Sequence, residues 1–319
     1  MSNVRPRTLD IITSALNEEE CLEEFYSRIV TVMKLNEEYS WRLIVCDNGS
    51  NDATWEIISS LAGNDPRVIG VRMSRTFNLD AAFTMGLDIA QADAAVIMAS
   101  DLQDPPEVIS EFLRDYEAGY EQVVARIVSR RQVPFIRRKL SELFYLIANR
   151  VTKNMIPRGV SDFRLLSKPA YLATRQLRER NRFLRGLLAW SGFRTSIIEI
   201  DRADRYAGES EFTKIRFSVV FRWAVGAILA HTTSPLHFVS FLGFALSGTS
   251  ILVGIIFVFL WLTGGVPFDG YGTIVGFMIV GFSMVLGAIG VISQYLALIY
   301  EEVKQRPIYI VAERTDTAG

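Results

Sequence analysis

The sequence predicts an α/β domain with a doubly wound, mostly parallel sheet, followed by a hairpin of two helices long enough to cross a membrane. Two observations support this fold class. In the N-terminal third, short β-rich runs alternate with segments of helical periodicity. Near the C-terminus, two long runs contain no charged residue. A chain of 319 residues, half of them hydrophobic, is long enough for both parts.

The elements of the predicted sheet follow one another regularly. Strands are predicted where short runs are rich in β-branched and apolar residues, at 8–13, 42–46, 67–72 and 94–98. Helices are predicted where apolar residues recur every three or four positions, at 18–36, 52–62, 79–91 and 107–118. Strands that alternate with helices form parallel sheets, and ligands of such sheets bind at the carboxyl ends of the strands.

Polar residues follow three of these strand ends, and the sequence MASDLQDPPE (98–107) is the most informative of them. Asp101 and Gln103 offer two oxygen ligands, which suits a hard divalent cation better than zinc. Ala99 supplies no third ligand, but Mg²⁺ commonly takes only one or two protein carboxylates and completes its shell with water and phosphate oxygens. Pro105 and Pro106 suit the first turn of the next helix.

Several other chemistries lack their motifs. No GxGxxG follows the first strand and no GxxxxGK[ST] occurs, which argues against a dinucleotide-binding dehydrogenase and a P-loop. His231 and His237 have no partners at metal-ligand spacing, and Cys21 and Cys46 are expected to be inert packing residues. The net charge of −1 gives no reason to expect a nucleic-acid partner.

Transmembrane helices are predicted at 236–262 and 272–300, because each uncharged run exceeds the roughly 20 residues that a helix needs to cross a bilayer. Lysine and arginine residues flank the pair on both sides, so the positive-inside rule predicts that both termini are cytoplasmic. The N-terminus lacks an apolar segment, and we expect no cleavable signal peptide. Residues 301–319 are predicted to form a cytoplasmic tail.

Two further segments combine apolar residues at helical spacing with clusters of cations. They are 135–153 and 213–230, and both have the pattern of amphipathic helices that lie in a membrane interface. A surface helix packed on the soluble domain is the alternative for 135–153.

Six motifs occur along the chain: SALNEE (14–19), DNGSND (47–52), DLQDPPE (101–107), DFRL (162–165), RFLRGLLAW (182–190) and RYAGES (205–210). In this series the chain resembles the polyisoprenyl-phosphate glycosyltransferases of glycosyltransferase family 2, which include dolichol-phosphate mannose synthase and the bactoprenol glucosyltransferases. The resemblance covers roughly residues 8–300. It implies a GT-A, Rossmann-like catalytic domain formed by 1–134 and 154–212.

The resemblance also implies roles for individual residues. The nucleotide sugar would be bound by Leu16, Asn17, Glu18, Asp47, Ser100, Asp101 and Arg205. Mg²⁺ or Mn²⁺ would be held against the diphosphate by Asp101 and Gln103. The acceptor phosphate would contact Arg126, Arg137, Arg138 and Ser141. Asp162 matches the residue usually suggested as the catalytic base, and Asp101 is the second catalytic carboxylate.

The activity that the resemblance implies is inverting transfer of a sugar from a nucleotide diphosphate sugar to a polyisoprenyl phosphate, undecaprenyl or dolichyl phosphate, at the cytoplasmic face of a bacterial inner membrane. UDP-glucose is the first expectation for the donor, and a homo-oligomer is expected. The alternatives are a transferase of the same fold that acts on another lipid or a polysaccharide, and a catalytically inactive membrane scaffold.

The chain departs from the family pattern at three places. Ala99 stands where the family often has an acid, and Glu211 stands where a lysine is usual, with Lys214 close behind. A stretch that usually reads Asn-Phe-Gly-Lys is TFNL at 76–79. The first departure could weaken metal affinity, and the others could alter the choice of donor or the contacts with the diphosphate.

Overall fold

Eight strands form one mixed sheet in the computed structural model, which describes residues 7–129, 159–180, 182–202, 206 and 271–316, and scattered positions between 236 and 263. The strands are β1 (Arg7–Ala15), β2 (Tyr39–Asp47), β3 (Val68–Met73), β4 (Ala94–Ala99), β5 (Gln122–Ser129), β6 (Val160–Ser167), β7 (Thr195–Asp201) and β8 (Val311–Arg314). Their order across the sheet is β7-β5-β6-β4-β1-β2-β3-β8.

The centre of the sheet is parallel, as predicted. Strands β4, β1, β2 and β3 pair in parallel, so their carboxyl ends meet at one edge. Strand β6 runs antiparallel to both β4 and β5, and β8 runs antiparallel to β3. The fold is therefore a mixed α/β sheet built around the predicted parallel core.

Within the described residues, six helices accompany the sheet: α1 (Leu22–Lys34), α2 (Thr54–Asn64), α3 (Leu79–Ile89), α4 (Ile109–Glu117), α5 (Lys168–Gln176) and α6 (Leu184–Trp190). Helices α1 and α3 lie inside their predicted ranges, and α2 ends two residues beyond its predicted end at 62. The helix predicted at 107–118 begins with a 3₁₀ turn, Pro106–Val108, whose proline occupies the first turn as expected.

Two hydrophobic clusters cover the two faces of the sheet. Helices α1, α2 and α4 contribute to one cluster, and α3, α5 and α6 contribute to the other. Ile11 and Ile12 are neighbours on β1 but belong to different clusters, because successive side chains of a strand point to opposite faces. This two-sided burial explains why the central strands are apolar throughout and confirms the doubly wound arrangement.

The segment 301–319, predicted as a cytoplasmic tail, contains a strand of the sheet. Its residues 311–314 are β8, and residues 307–319 belong to the same compact unit as 1–220. Without β8, the outer edge of β3 would leave a row of unpaired backbone donors and acceptors. The apolar run IYIVA (308–312) was the sequence signal for this strand.

Residues 221–306 form the second compact unit. Its helix α7 (Tyr271–Val303) has 33 residues, and within it Met284–Val303 is long and apolar enough to cross a membrane. This is the single candidate span among the residues that the structure describes. In 236–262 the described positions from Leu236 to Phe259 are helical, and the two-helix hairpin stays a prediction. The predicted interfacial helices at 135–153 and 213–230 lie outside the described residues.

Gly86 sets how closely α3 approaches the sheet. A Cβ atom at this position would lie 2.1 Å from Cγ2 of Ile12 and 3.1 Å from Sγ of Cys46, both fully buried. We expect Gly86→Ala to destabilise the domain by about 1–3 kcal/mol, because this steric conflict exceeds the gain of about 1 kcal/mol in helix propensity. The measurement is the apparent thermal unfolding midpoint of the full-length protein.

Gly63 in α2 is the matched control, since a Cβ there has no neighbouring atom within 4 Å. Gly63→Ala should leave the midpoint unchanged or raise it. If the two substitutions shift the midpoint equally, then close packing of α3 does not depend on Gly86.

Candidate active site

The loop after β1 and the turn after β2 are joined by reciprocal hydrogen bonds. The backbone N–H of Asn17 donates to Oγ of Ser50 at 3.0 Å, and the backbone N–H of Asn51 donates to Oδ1 of Asn17 at 2.9 Å. Asn17 adopts a left-handed conformation with φ of 53°, which asparagine tolerates better than most residues. The N–H of Glu18 donates to the Thr54 hydroxyl, which fixes the same loop to α2.

Asp47, at the end of β2, is a fully buried carboxylate. Its Oδ1 accepts hydrogen bonds from the N–H and the hydroxyl of Ser50, at 2.9 and 2.5 Å. Its Oδ2 lies 3.3 Å from Nε of Arg72 but accepts no hydrogen bond. Burial raises the pKa of Asp47 above its ordinary value, although Ser50 and Arg72 oppose this shift. Ser50 therefore holds one oxygen of this carboxylate, and the other lies beside the guanidinium of Arg72.

The turn that contains Gly49 touches the segment before α3. Gly49 has φ of 77°, and a Cβ there would lie 2.7 Å from the carbonyl carbon of Arg75. The Asn48 side chain donates to the carbonyl of Phe77 and accepts from its N–H, at 2.9 and 2.8 Å. In the unusual TFNL stretch, Asn78 caps α3 by accepting from the N–H of Ala81 at 2.8 Å. One effect of that departure is thus a well-formed helix start.

The third strand end is a tight hook after β4. The buried hydroxyl of Ser100 donates to the carbonyl of Ser14 at 3.0 Å, which fastens the hook to β1. Leu102 is buried in a left-handed conformation with φ of 58°, and Oδ1 of Asp101 accepts from the N–H of Gln103 at 3.2 Å. Both Asp101 and Gln103 remain partly exposed. The hook therefore presents the two predicted metal ligands on one turn.

Asp104, at the end of this hook, joins it to Ser161 and Arg202. Its carboxylate is buried, with Oδ1 3.3 Å from Nε of Arg202 and Oδ2 accepting from the Ser161 hydroxyl at 3.4 Å. Burial raises the pKa of Asp104 to about 6, with Arg202 opposing and the charges of Asp101 and Asp162 adding to the shift. Asp104 and Arg202 were not predicted as site residues, although the acid is part of DLQDPPE.

Asp162 on β6 forms a bidentate ion pair with Arg185 of α6, with both oxygen–nitrogen distances at 2.5 Å. The DFRL and RFLRGLLAW motifs are therefore in direct contact. Burial alone would raise the pKa of Asp162, but the guanidinium of Arg185 more than offsets it and holds the pKa below its ordinary value. Arg164 lies buried nearby, and burial lowers its pKa to about 10, so it remains protonated at neutral pH.

Asp80, in the first turn of α3, is a further titratable group of this region that the sequence analysis missed. Burial and the negative charge of Asp162 raise the pKa of Asp80 to about 7, while Arg185 and the backbone N–H of Leu184 oppose the shift. A single acid one residue into a helix carried no signal of its own. Only its burial and the nearby charge of Asp162 in the folded domain distinguish it.

Of the predicted acceptor-binding residues, the structure describes Arg126. Arg126 lies on β5, where its Nη1 is 3.7 Å from Oε1 of Glu199 and its buried Nε has no hydrogen-bond partner. Four predicted site residues lie outside the described residues: Arg137, Arg138, Ser141 and Arg205.

Leu16, on the loop after β1, is partly exposed.

Over the described residues, no group of three or more histidine, cysteine, aspartate or glutamate side chains could hold a metal ion. A cation here would therefore need ligand oxygens besides those of Asp101 and Gln103, which suits Mg²⁺ or Mn²⁺ bound together with phosphate.

The two cysteines behave as predicted. Cys21 and Cys46 are both buried in the domain, and burial raises the pKa of the Cys46 thiol to about 12. A thiol in this state is not a nucleophile at neutral pH.

Comparison with known proteins identifies relatives over nearly the whole chain. Residues 10–173 match glycosyl transferase family 2. The uncharacterized glycosyltransferase YkcC of Bacillus subtilis (strain 168) is 34% identical over 301 residues, covering 94% of this chain and 92% of its own. The SfII prophage-derived bactoprenol glucosyl transferase of Shigella flexneri is 34% identical over 304 residues, covering 95% and 97%.

Solved structures are similar at lower identity. Glucosyl-3-phosphoglycerate synthase from Mycobacterium tuberculosis, in complex with Mn²⁺, UDP and phosphoglyceric acid, aligns with a TM-score of 0.49 and 17% identity. The alignment covers 72% of this chain and 78% of that one.

The raised pKa of Asp80 predicts a pH-dependent stability. Because the folded state binds this proton more tightly than the unfolded state, stability should fall as pH rises from about 4 through about 7. Asp80→Asn removes the ionisation, so the variant should match the wild type near pH 4 and exceed its unfolding midpoint at pH 8. Glu56→Gln, an exposed acid in the first turn of α2, is the control and should give no such divergence. A constant offset at both pH values would contradict the assignment.

Proposed function

Because the chain belongs to glycosyl transferase family 2, we propose that it transfers a sugar from a nucleotide diphosphate sugar to a polyisoprenyl phosphate. We infer a lipid phosphate as acceptor from the similarity to a bactoprenol glucosyl transferase. That similarity covers 95% of the chain and extends well beyond residues 10–173, which match the family. UDP-glucose is the proposed donor, and undecaprenyl or dolichyl phosphate is the proposed acceptor.

The nucleotide would bind where the loops after β1, β2 and β4 meet. Asp47 supports this assignment, because a buried carboxylate oxygen without a hydrogen bond suits the imide N–H of uracil. Asn17 and Glu18 would line the base and ribose, with Leu16 and Ser100 completing the wall. Arg205 would contact the diphosphate.

Asp101 and Gln103 would hold Mg²⁺ or Mn²⁺ against the donor diphosphate. When bound, the cation would neutralise negative charge that develops on the leaving diphosphate. The hydrogen bond from the N–H of Gln103 keeps the Asp101 carboxylate oriented on the hook. The absence of an acid at Ala99 is compatible with this chemistry, since phosphate oxygens can complete the shell.

The attacking group would be an oxygen of the acceptor phosphate. Its second pKa is about 6, so much of it is dianionic at neutral pH and needs no strong general base. Asp162 is already ion-paired with Arg185, and its low pKa makes it a weak proton acceptor. We therefore assign Asp162 to orienting the acceptor or the sugar. Four side chains would bind the acceptor phosphate: Arg126, Arg137, Arg138 and Ser141.

The proposed reaction takes place at the cytoplasmic face of a bacterial inner membrane. Helix α7 supplies one candidate span, and we propose a second at 236–262, with both termini cytoplasmic. The segments 135–153 and 213–230 would lie in the interface, near the depth of the lipid phosphate. We also propose a homo-oligomer in the membrane.

The direct test uses the full-length protein in nanodiscs with labelled UDP-glucose, undecaprenyl phosphate and Mg²⁺ or Mn²⁺. The expected product is a labelled lipid that partitions into organic solvent. Label on another lipid or on a polysaccharide would select the alternative acceptor. Failure with UDP-glucose, UDP-galactose and GDP-mannose, under both metals, would favour an inactive scaffold.

Asp101→Asn should lower kcat/KM by about 100-fold or more, because it removes a metal ligand that acts in the transition state. It should also raise the Mn²⁺ concentration needed for half-maximal activity. Glu111→Gln, an exposed acid on α4, is the control and should retain activity. Metal titration by calorimetry should detect weak binding to the protein alone and stronger binding with UDP. Tight binding of the cation without nucleotide would contradict the two-ligand hook.

Single displacement at the sugar carbon predicts inversion of the anomeric configuration. With UDP-α-glucose as donor, the lipid-linked product should be the β-anomer, which proton NMR coupling at the anomeric carbon distinguishes from the α-anomer. An α-linked product would exclude direct displacement by the acceptor phosphate.

A further inference from the structure

The C-terminal strand β8 reaches the candidate nucleotide site through one glutamate. Glu313 accepts a hydrogen bond from Nη1 of Arg72 on Oε1, and one from Nε1 of Trp55 on Oε2, both at 3.2 Å. Arg72 in turn lies 3.3 Å from Oδ2 of Asp47 and donates to the carbonyl of Ser50 at 3.2 Å. An unbroken series of polar contacts therefore joins β8 to the buried carboxylate at the end of β2.

Arg72 is confined by all of these groups together. Its guanidinium lies 5.7 Å from the centroid of the Trp55 ring, and its side chain is 29% exposed. Without Glu313, the outer side of the guanidinium would lose its ion pair and the indole N–H of Trp55 would lose its acceptor. The remaining contacts of Arg72 with Asp47 and Ser50 would then hold a more mobile side chain, because an arginine has several rotatable bonds.

The position of Glu313 is fixed by the sheet and not by its side chain alone. Strand β8 pairs with β3 so that Glu313 stands opposite Arg72. The N–H of Gly70 donates to the Thr315 hydroxyl at 2.9 Å, and the N–H of Thr315 donates to the carbonyl of Gly70 at 3.0 Å. A Cβ on Gly70 would lie 3.0 Å from Cγ2 of Thr315, so the glycine permits this close approach.

We propose that Glu313 is a positioning residue for donor binding, acting through Arg72 to hold the Asp47 carboxylate in the geometry that accepts the nucleotide base. This inference rests on the proposed function, because it takes Asp47 as a ligand of the base. The base is not altered in the reaction, so Glu313 contributes equally to the ground state and the transition state. Its loss changes donor affinity and KM, and leaves kcat unchanged.

The test measures UDP binding and turnover with the full-length protein, using isothermal calorimetry in Mg²⁺ and the labelled transfer assay. Glu313→Ala should raise the UDP dissociation constant and the KM for UDP-glucose by about threefold to tenfold, as expected for loss of a partly exposed ion pair and a hydrogen bond. Glu313→Gln, which keeps an oxygen for Arg72 but loses the charge, should fall between Ala and wild type. The value of kcat should stay within about twofold of wild type.

Arg314→Ala is the matched control on the neighbouring residue of β8. It removes the ion pair with Asp316, at 2.7 Å, and leaves Glu313 in place. Thermal unfolding midpoints of all variants establish that the strand remains folded. Wild-type UDP affinity in Glu313→Ala, an equal loss in Arg314→Ala, or a fall in kcat alone would overturn the positioning role.

The outcomes also separate this inference from the proposed function. If the wild type binds UDP and transfers glucose while Glu313→Ala behaves identically, the function stands and the role of Glu313 is wrong. If the wild type binds neither UDP nor GDP, the donor site itself is wrong and the inference falls with it.

Discussion

The structure depends on the burial of Asp47 at the end of β2. A carboxylate inside a domain is costly unless hydrogen bonds and a cation compensate, and here Ser50 and Arg72 provide both. That requirement fixes the turn after β2, which in turn binds the loop after β1 through Asn17. One buried acid therefore determines the shape of two of the three loops in the candidate site.

Around this anchor, acids and arginines are paired so that the site can receive further negative charge. Asp162 is neutralised by Arg185 and Asp104 by Arg202, while Asp101 retains exposure on the hook. Two phosphorylated substrates would repel one another strongly in a partly desolvated cleft. Paired acids avoid adding to that repulsion, which leaves the exposed carboxylate available for a cation. The charge arrangement thus agrees with the chemistry assigned to the family's motifs.

The sequence predicted the parallel core well because its signals are local. Apolar periodicity located β1 to β4 and α1 to α3, and strand-end polarity located the loops that the structure brings into contact. Features that depend on distant pairing were missed. Arg185 pairs with Asp162 only when α6 packs beside β6, and the pKa of Asp80 is raised only by burial and by the charge of Asp162 in the folded domain. Strand β8 was missed as well, because a short apolar run such as 308–312 becomes a strand only by pairing with the distant β3.

The connectivity of β8 has a consequence for how the contacts around Arg72 and Asp47 are completed. The apolar unit 221–306 is inserted in sequence between two parts of the sheet-containing unit, so β8 is synthesised after the candidate membrane span. Strand β3 can form with β2 as soon as the N-terminal segment is available, because their pairing is sequentially close. Its other edge must wait for residues 311–314. Arg72 therefore acquires its contact with Glu313 only after the apolar helix has been made.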